Sequence, residues 1–138
     1  MQNKIIRFIL NLGSRAHIGC EEREKVNMLK VSDRVRQNKL NHIYRIWNDL
    51  SPVYMKDHFQ KISDTELRNF TRASFHNFFV PRVNNQATNT FFFSGIKDWN
   101  LLPSNIKQIQ TLDMFKEKVK CNILLEARYS ESCPFLFY

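Results

Sequence analysis

Three stretches of the chain repeat apolar side chains at alternating three- and four-residue intervals, a spacing that suits packed amphipathic helices and little else. Ile5, Phe8, Ile9 and Leu12 form the first set, Leu40, Ile43, Trp47 and Leu50 the second, and Leu112, Phe115, Val119 and Ile123 the third. The spacing predicts helices over Asn3–Leu12, from Asp33 to about Asp49, and from a Thr111 cap to about Glu126. Ile6 and Leu10 give the first helix a second apolar flank. It should therefore be covered on two sides and stop at Gly13, as a segment of a larger protein would. Ser32 suits an N-cap of the second, with Arg34, Arg36, Lys39 and Arg45 largely off its apolar face. Shorter helices are expected over Glu21–Met28, from Pro52 to about Lys61 and over Ile96–Leu102, the last with Trp99 facing inward.

The character changes near Asp64. From Leu67 to Lys97 there is no acidic residue, and Phe70, Phe75, Phe78, Phe79, Phe91, Phe92 and Phe93 crowd the same stretch. The run from Phe78 to Val83 and the run from Thr88 to Ser94 are β-prone, with an Asn84-Asn85-Gln86 turn signal between them. The expected fold class is mainly α, several short-to-medium helices with one small β-hairpin at about residues 78–94. The segments read as residues 1–63 (helical), 64–110 (Phe-rich hairpin and loop), 111–127 (C-terminal helix) and 128–138 (a poorly ordered tail). Phe inside with Arg68, Arg72 and Arg82 outside reconciles a core with a phosphate-facing surface.

Lys and Arg number 21 against 13 Asp and Glu, a net charge of +8. That balance favours an anionic partner, with nucleic acid first. No apolar run is long enough to span a membrane, and no cleavage site follows the apolar N-terminal stretch. Cys20, Cys121 and Cys133 are too few and too scattered for a disulfide framework, which fits an intracellular location, cytoplasmic or nuclear. His17 and Cys20 make one H-x-x-C without a second pair, so no metal site is expected. The six aspartates are scattered singly, with none of the convergence that two-metal nucleotidyl transfer needs. No nucleophile motif or phosphate-binding glycine loop is present, so no catalytic residue and no cofactor is expected, and no small-molecule substrate.

The order of several short elements resembles one family. They are Gln2-Asn3-Lys4-Ile5-Ile6-Arg7-Phe8-Ile9-Leu10, Arg15-Ala16-His17-Ile18-Gly19, Arg34-Val35-Arg36-Gln37 and Leu40-Asn41-His42. Ser51-Pro52 follows with Tyr54 and His58-Phe59, then Thr71-Arg72 with Ser74, and Phe79-Val80-Pro81-Arg82-Val83. Ile96-Lys97-Asp98-Trp99-Asn100, Leu102-Pro103, and Phe115-Lys116 with Val119-Lys120 close the series. Together they resemble the region after the polymerase core in reverse transcriptases of non-LTR retrotransposons of the jockey-like group, over about residues 2–125. Phe70 departs from the family's Asn-Thr-Arg element, and Ser14 and Lys30 stand where proline is frequent. The resemblance implies a parent enzyme that is an RNA-directed DNA polymerase, with its catalytic carboxylates outside this chain. This part would be a non-catalytic, basic support for the upstream polymerase core that contacts RNA or DNA backbone. Lys4, Arg7, Arg15, Arg68, Arg72 and Arg82 are the candidate phosphate contacts. The alternative is a helical protein-interaction module with no nucleic-acid role, its partner face formed by Leu40, Ile43 and Trp47.

Overall fold

The computed structural model describes residues 1–64, 75–82, 88 and 90–132. The fold is mainly helical. In chain order the elements are α1 (Gln2–Ile9), α2 (Cys20–Lys25), α3 (Val31–Trp47), α4 (Val53–Lys56), a 3-10 turn (Ile62–Asp64), α5 (Phe91–Leu101), α6 (Ser104–Lys107) and α7 (Leu112–Ser132). The chain forms two compact units. One holds Met1–Arg34 and the chain from Lys120 onward; the other holds Val35–Val119. Ser32 lies inside the first turn of α3 rather than capping it. At the other end α7 passes Arg128 and continues to Ser132, where the sequence suggested an unordered tail. The first strong helix breaker there is Pro134, and nothing before it prevents another turn. Residues 133–138 lie outside the described residues.

Three helices end in the same way, without glycine. Asn11, Asn27 and Asp49 take φ values of 51°, 57° and 60°. In each case the residue after the turn donates its N–H back to a carbonyl five positions earlier: Leu12 to Arg7, Met28 to Arg23 and Leu50 to Arg45, all at 2.8 Å. This paired-bond ending satisfies carbonyls that the helix leaves open, and it needs a left-handed residue. Asn and Asp tolerate that conformation better than other side chains, but glycine tolerates it best. The sequence pointed to Gly13 as the stop of α1; the stop is Asn11, two residues earlier. Asn11→Gly should therefore stabilise the fold by about 0.5–1 kcal/mol, read as a rise in the thermal midpoint. A fall would mean that the Asn11 side chain makes a contact worth more than the backbone relief.

In the first unit, Ile6, Ile18, Cys20, Leu29 and Ile123 are buried. Arg23 is buried with them at 8% exposure and donates from Nη2 to Asn3 Oδ1 at 2.8 Å, while Gln2 Nε2 donates to the Leu29 carbonyl at 2.6 Å. These bonds anchor the polar flank of α1. Its apolar flank is not covered as the sequence suggested. Ile6 is fully buried, yet Ile5, Phe8 and Ile9 remain 46%, 87% and 55% exposed.

The second unit is built on aromatic rings. Trp99 and Phe78 are completely buried, and Tyr44 and Phe115 stack at 4.3 Å between ring centres. Trp47 stacks on Trp99 at 5.6 Å and meets Phe78 edge-on at 4.9 Å. Gly95 brings α5 close to α3: a Cβ there would lie 3.0 Å from Ile43 Cδ1. Two polar groups sent inward are satisfied by backbone carbonyls. Tyr44 donates its hydroxyl to the Ile109 carbonyl at 2.8 Å, and burial holds its pKa above the usual phenol value. Gln37 donates to the Lys116 carbonyl at 3.0 Å.

The expected hairpin at about 78–94 is not seen among the described residues, and its Asn84-Asn85-Gln86 turn lies outside them. Phe91, Phe92 and Phe93 open helix α5 instead of a strand. The reason is the continuation of their pattern: Phe93, Ile96 and Trp99 are buried at intervals of three, a helical face that outweighs the local β preference of three phenylalanines. Phe78 finds a different partner, an isolated antiparallel bridge to Lys61. Ile62 donates to the Asn77 carbonyl at 3.0 Å and Phe79 to the Gln60 carbonyl at 2.8 Å. Among the described residues this is the one strand-like pairing.

Candidate nucleic-acid interface

One element of the resemblance, Asp98-Trp99-Asn100, turns out to be a joint of the fold. Trp99 donates Nε1–H to the His76 carbonyl at 3.0 Å. Asn100 accepts from the Phe78 N–H at 3.0 Å and returns its amide to the Phe78 carbonyl at 2.9 Å. One side chain thus imitates a neighbouring strand, and Phe78 is paired on both edges. Asp98 receives two cations, Lys39 at 3.0 Å and Arg36 at 3.5 Å. Lys107, only 5% exposed, closes the joint by donating to Asn77 Oδ1 at 2.7 Å and to the Asn100 carbonyl at 3.1 Å. Burial without a carboxylate partner lowers its pKa. Trp99, Asn100 and Lys107 each hold a backbone group in place.

The positive charge is therefore unevenly available. Arg23 and Lys107 are interior. Lys61 donates to the Trp47 carbonyl at 2.9 Å and lies over its ring; Lys56 pairs with Asp49 at 2.8 Å; Arg128 pairs with Glu24. Among the predicted phosphate contacts, Arg7 is half-buried and commits Nε to the Ala16 carbonyl at 2.8 Å, tying the end of α1 to the following turn. Lys4, Arg15 and Arg82 are exposed. Arg68 and Arg72 lie outside the described residues. Arg45 on α3 and Lys118 on α7, read from the sequence as lying off the apolar faces but not as phosphate contacts, are also exposed. Their signal was present: both stand opposite the buried stripe of an amphipathic helix, where a long cation remains in water.

The interior also removes one alternative surface. Leu40 and Ile43 have no exposure and Trp47 is stacked on Trp99, so the face they form is core and not a partner site.

Two open clefts are lined by described residues. In the first unit, a polar cleft of about 750 Å³ is lined by His17, Cys20, Glu21, Glu24, Lys25 and Arg128 among others. It holds the H-x-x-C pair, yet among the described residues no group of three or more His, Cys, Asp or Glu side chains could hold a metal ion. In the second unit, a cleft of about 370 Å³ lies along α3, where Asn38, Lys39 and His42 face Met55 of α4 and Phe91 of α5. His42 and Phe91 meet edge to face at 6.3 Å. Among the described residues no helix is long and apolar enough to cross a membrane. Compared with known proteins, the chain matches no family model, no curated protein and no solved structure.

Proposed function

We propose that this chain is a non-catalytic, nucleic-acid-contacting support, the C-terminal part of a non-LTR retrotransposon reverse transcriptase. The observation that carries this reading is the set of exposed cations, Lys4, Arg15, Arg45, Arg82 and Lys118, on a chain of net charge +8. Long cations held in water by an otherwise rigid scaffold neutralise phosphates and release their counterions, without regard to base sequence. The resemblance adds the parent enzyme, and Asp98, Trp99 and Asn100 are accounted for as framework. The uncovered apolar side of α1 supports the second half of the reading, packing against a polymerase core, since Phe8 at 87% exposure is a costly surface residue unless something covers it. A protein-interaction module without a nucleic-acid role would use that same side of α1.

A salt titration of binding to a fluorescein-labelled single-stranded RNA tests the reading. The logarithm of the binding constant should fall linearly with the logarithm of salt concentration, at roughly 0.7 per neutralised phosphate. Replacing Lys4, Arg15 and Arg82 together by alanine should flatten that slope by about two and weaken binding at least tenfold at low salt. Absence of binding by the intact chain at low ionic strength would remove the nucleic-acid role and leave the protein-interaction reading.

A further inference from the structure

We propose that the cleft along α3 in the second unit receives an unstacked nucleobase of a single-stranded RNA or DNA, so that binding depends on bases as well as on phosphates; this rests on the nucleic-acid reading above. Four features of the cleft point there. Its size, about 370 Å³, lies at the lower end of the range for ligand pockets and suits one flat heterocycle. Its walls are apolar and aromatic: Met55 and Phe91 are half-buried, and the imidazole of His42 stands edge-on to the Phe91 ring. Its polar rim can both give and accept hydrogen bonds, because the Asn38 side chain is exposed and its amide has no partner among the described residues. Its charge is positive. Among the described residues Lys39 lines it and no carboxylate does.

The geometry of α3 joins these features into one track. Asn38, His42 and Arg45 fall at i, i+4 and i+7 on one exposed helix face. A base resting against the wall formed by Phe91, Met55 and His42 would present its edge to the Asn38 amide, while Arg45, one turn further, meets the adjoining phosphate. Aromatic platforms beside a cationic track are how single strands are held without sequence preference. An apolar side chain of a protein partner would fill the same walls, but it would leave the Asn38 amide and the Arg45 guanidinium without an answering group.

The test compares two fluorescein-labelled probes on the full chain: an oligouridine, and an abasic oligomer of the same length and backbone. Wild type should bind the oligouridine about tenfold or more tightly than the abasic strand. The double variant Asn38→Ala/His42→Ala, both exposed positions, should bind the two probes equally while keeping the wild-type circular dichroism spectrum. The variant Lys4→Ala/Arg15→Ala should weaken both probes by the same factor and preserve the preference. Equal binding of both probes by wild type overturns the base cleft and leaves the phosphate reading standing. A preference that survives in Asn38→Ala/His42→Ala also overturns it. Failure of wild type to bind either probe overturns both readings.

Discussion

Replacing Trp99 by alanine is expected to cost about 3–5 kcal/mol, a large part of the stability of a domain this size. The indole is wholly buried, stacks on Trp47 and lies 5.9 Å from Phe115 and 6.0 Å from Phe78 between ring centres. No single neighbour can fill the space it leaves, because each of those rings is held by another contact. Trp99→Phe separates packing from hydrogen bonding. It keeps most of the ring volume but strips the Nε1–H from the His76 carbonyl, and should cost about 1–2 kcal/mol. Thermal and denaturant unfolding of the two variants should differ clearly. Equal midpoints would mean that the lost hydrogen bond, and not the cavity, dominates.

Replacing Asn100 by alanine should cost roughly 2–4 kcal/mol despite removing only a small side chain. The loss comes from what is left behind. The N–H and the carbonyl of Phe78, a residue with no solvent exposure, would lose their bonds to the Asn100 amide. A buried backbone group without a partner forfeits its hydration and gains nothing in return. Asn100→Asp preserves shape but only one of the two bonds: a carboxylate can accept from the Phe78 N–H and cannot donate to its carbonyl. Because its second oxygen would face that carbonyl without a proton between them, its cost should match or exceed that of alanine. The sharpest readout is hydrogen exchange at the Phe78 amide, which should accelerate strongly in Asn100→Ala. Unchanged protection there would show that the bridge to Lys61 alone holds the segment.

These two positions bear on how the resemblance is used. A Trp-Asn pair beside an aspartate and a lysine could be taken for a binding motif. Here Trp99 plugs the core, Asn100 completes a strand edge, and Asp98 gathers Arg36 and Lys39. On the proposed reading, contact with nucleic acid comes from the exposed cations and from the cleft along α3. It follows that substitutions at the joint should disturb folding and binding together, whereas Asn38, His42, Lys4 and Arg15 should disturb binding alone.

Much of the fold was legible beforehand because helices are written locally. Three of the four stripe residues of α7 are buried as read, Phe115 and Val119 with no exposure and Ile123 with 3%, while Leu112 is half-buried. The stripe of α3 holds for Leu40 and Ile43, while Leu50 falls beyond the left-handed Asp49 and is 65% exposed. The Phe-rich stretch was legible as core material at Phe78 and Phe93 but not in its geometry. Consecutive phenylalanines have no period of their own, and the choice between strand and helix waited on Ile96 and Trp99. The exposed side of α1 was misread for the opposite reason. Its periodicity announces an apolar face, but periodicity carries no information about whether a neighbour exists to cover it.

The amino-acid sequence by itself determined the helical class, the inward stripe of each long helix and the excess of positive charge, since these depend on spacing and composition within a few turns. The tertiary structure decided which lysines and arginines are spent inside and which face water. It decided that Asn100 would stand in for a strand beside Phe78, and that Asn38 and His42 would share a cleft with Phe91, because each of these depends on residues far apart in the chain being brought within reach of a hydrogen bond or a ring contact.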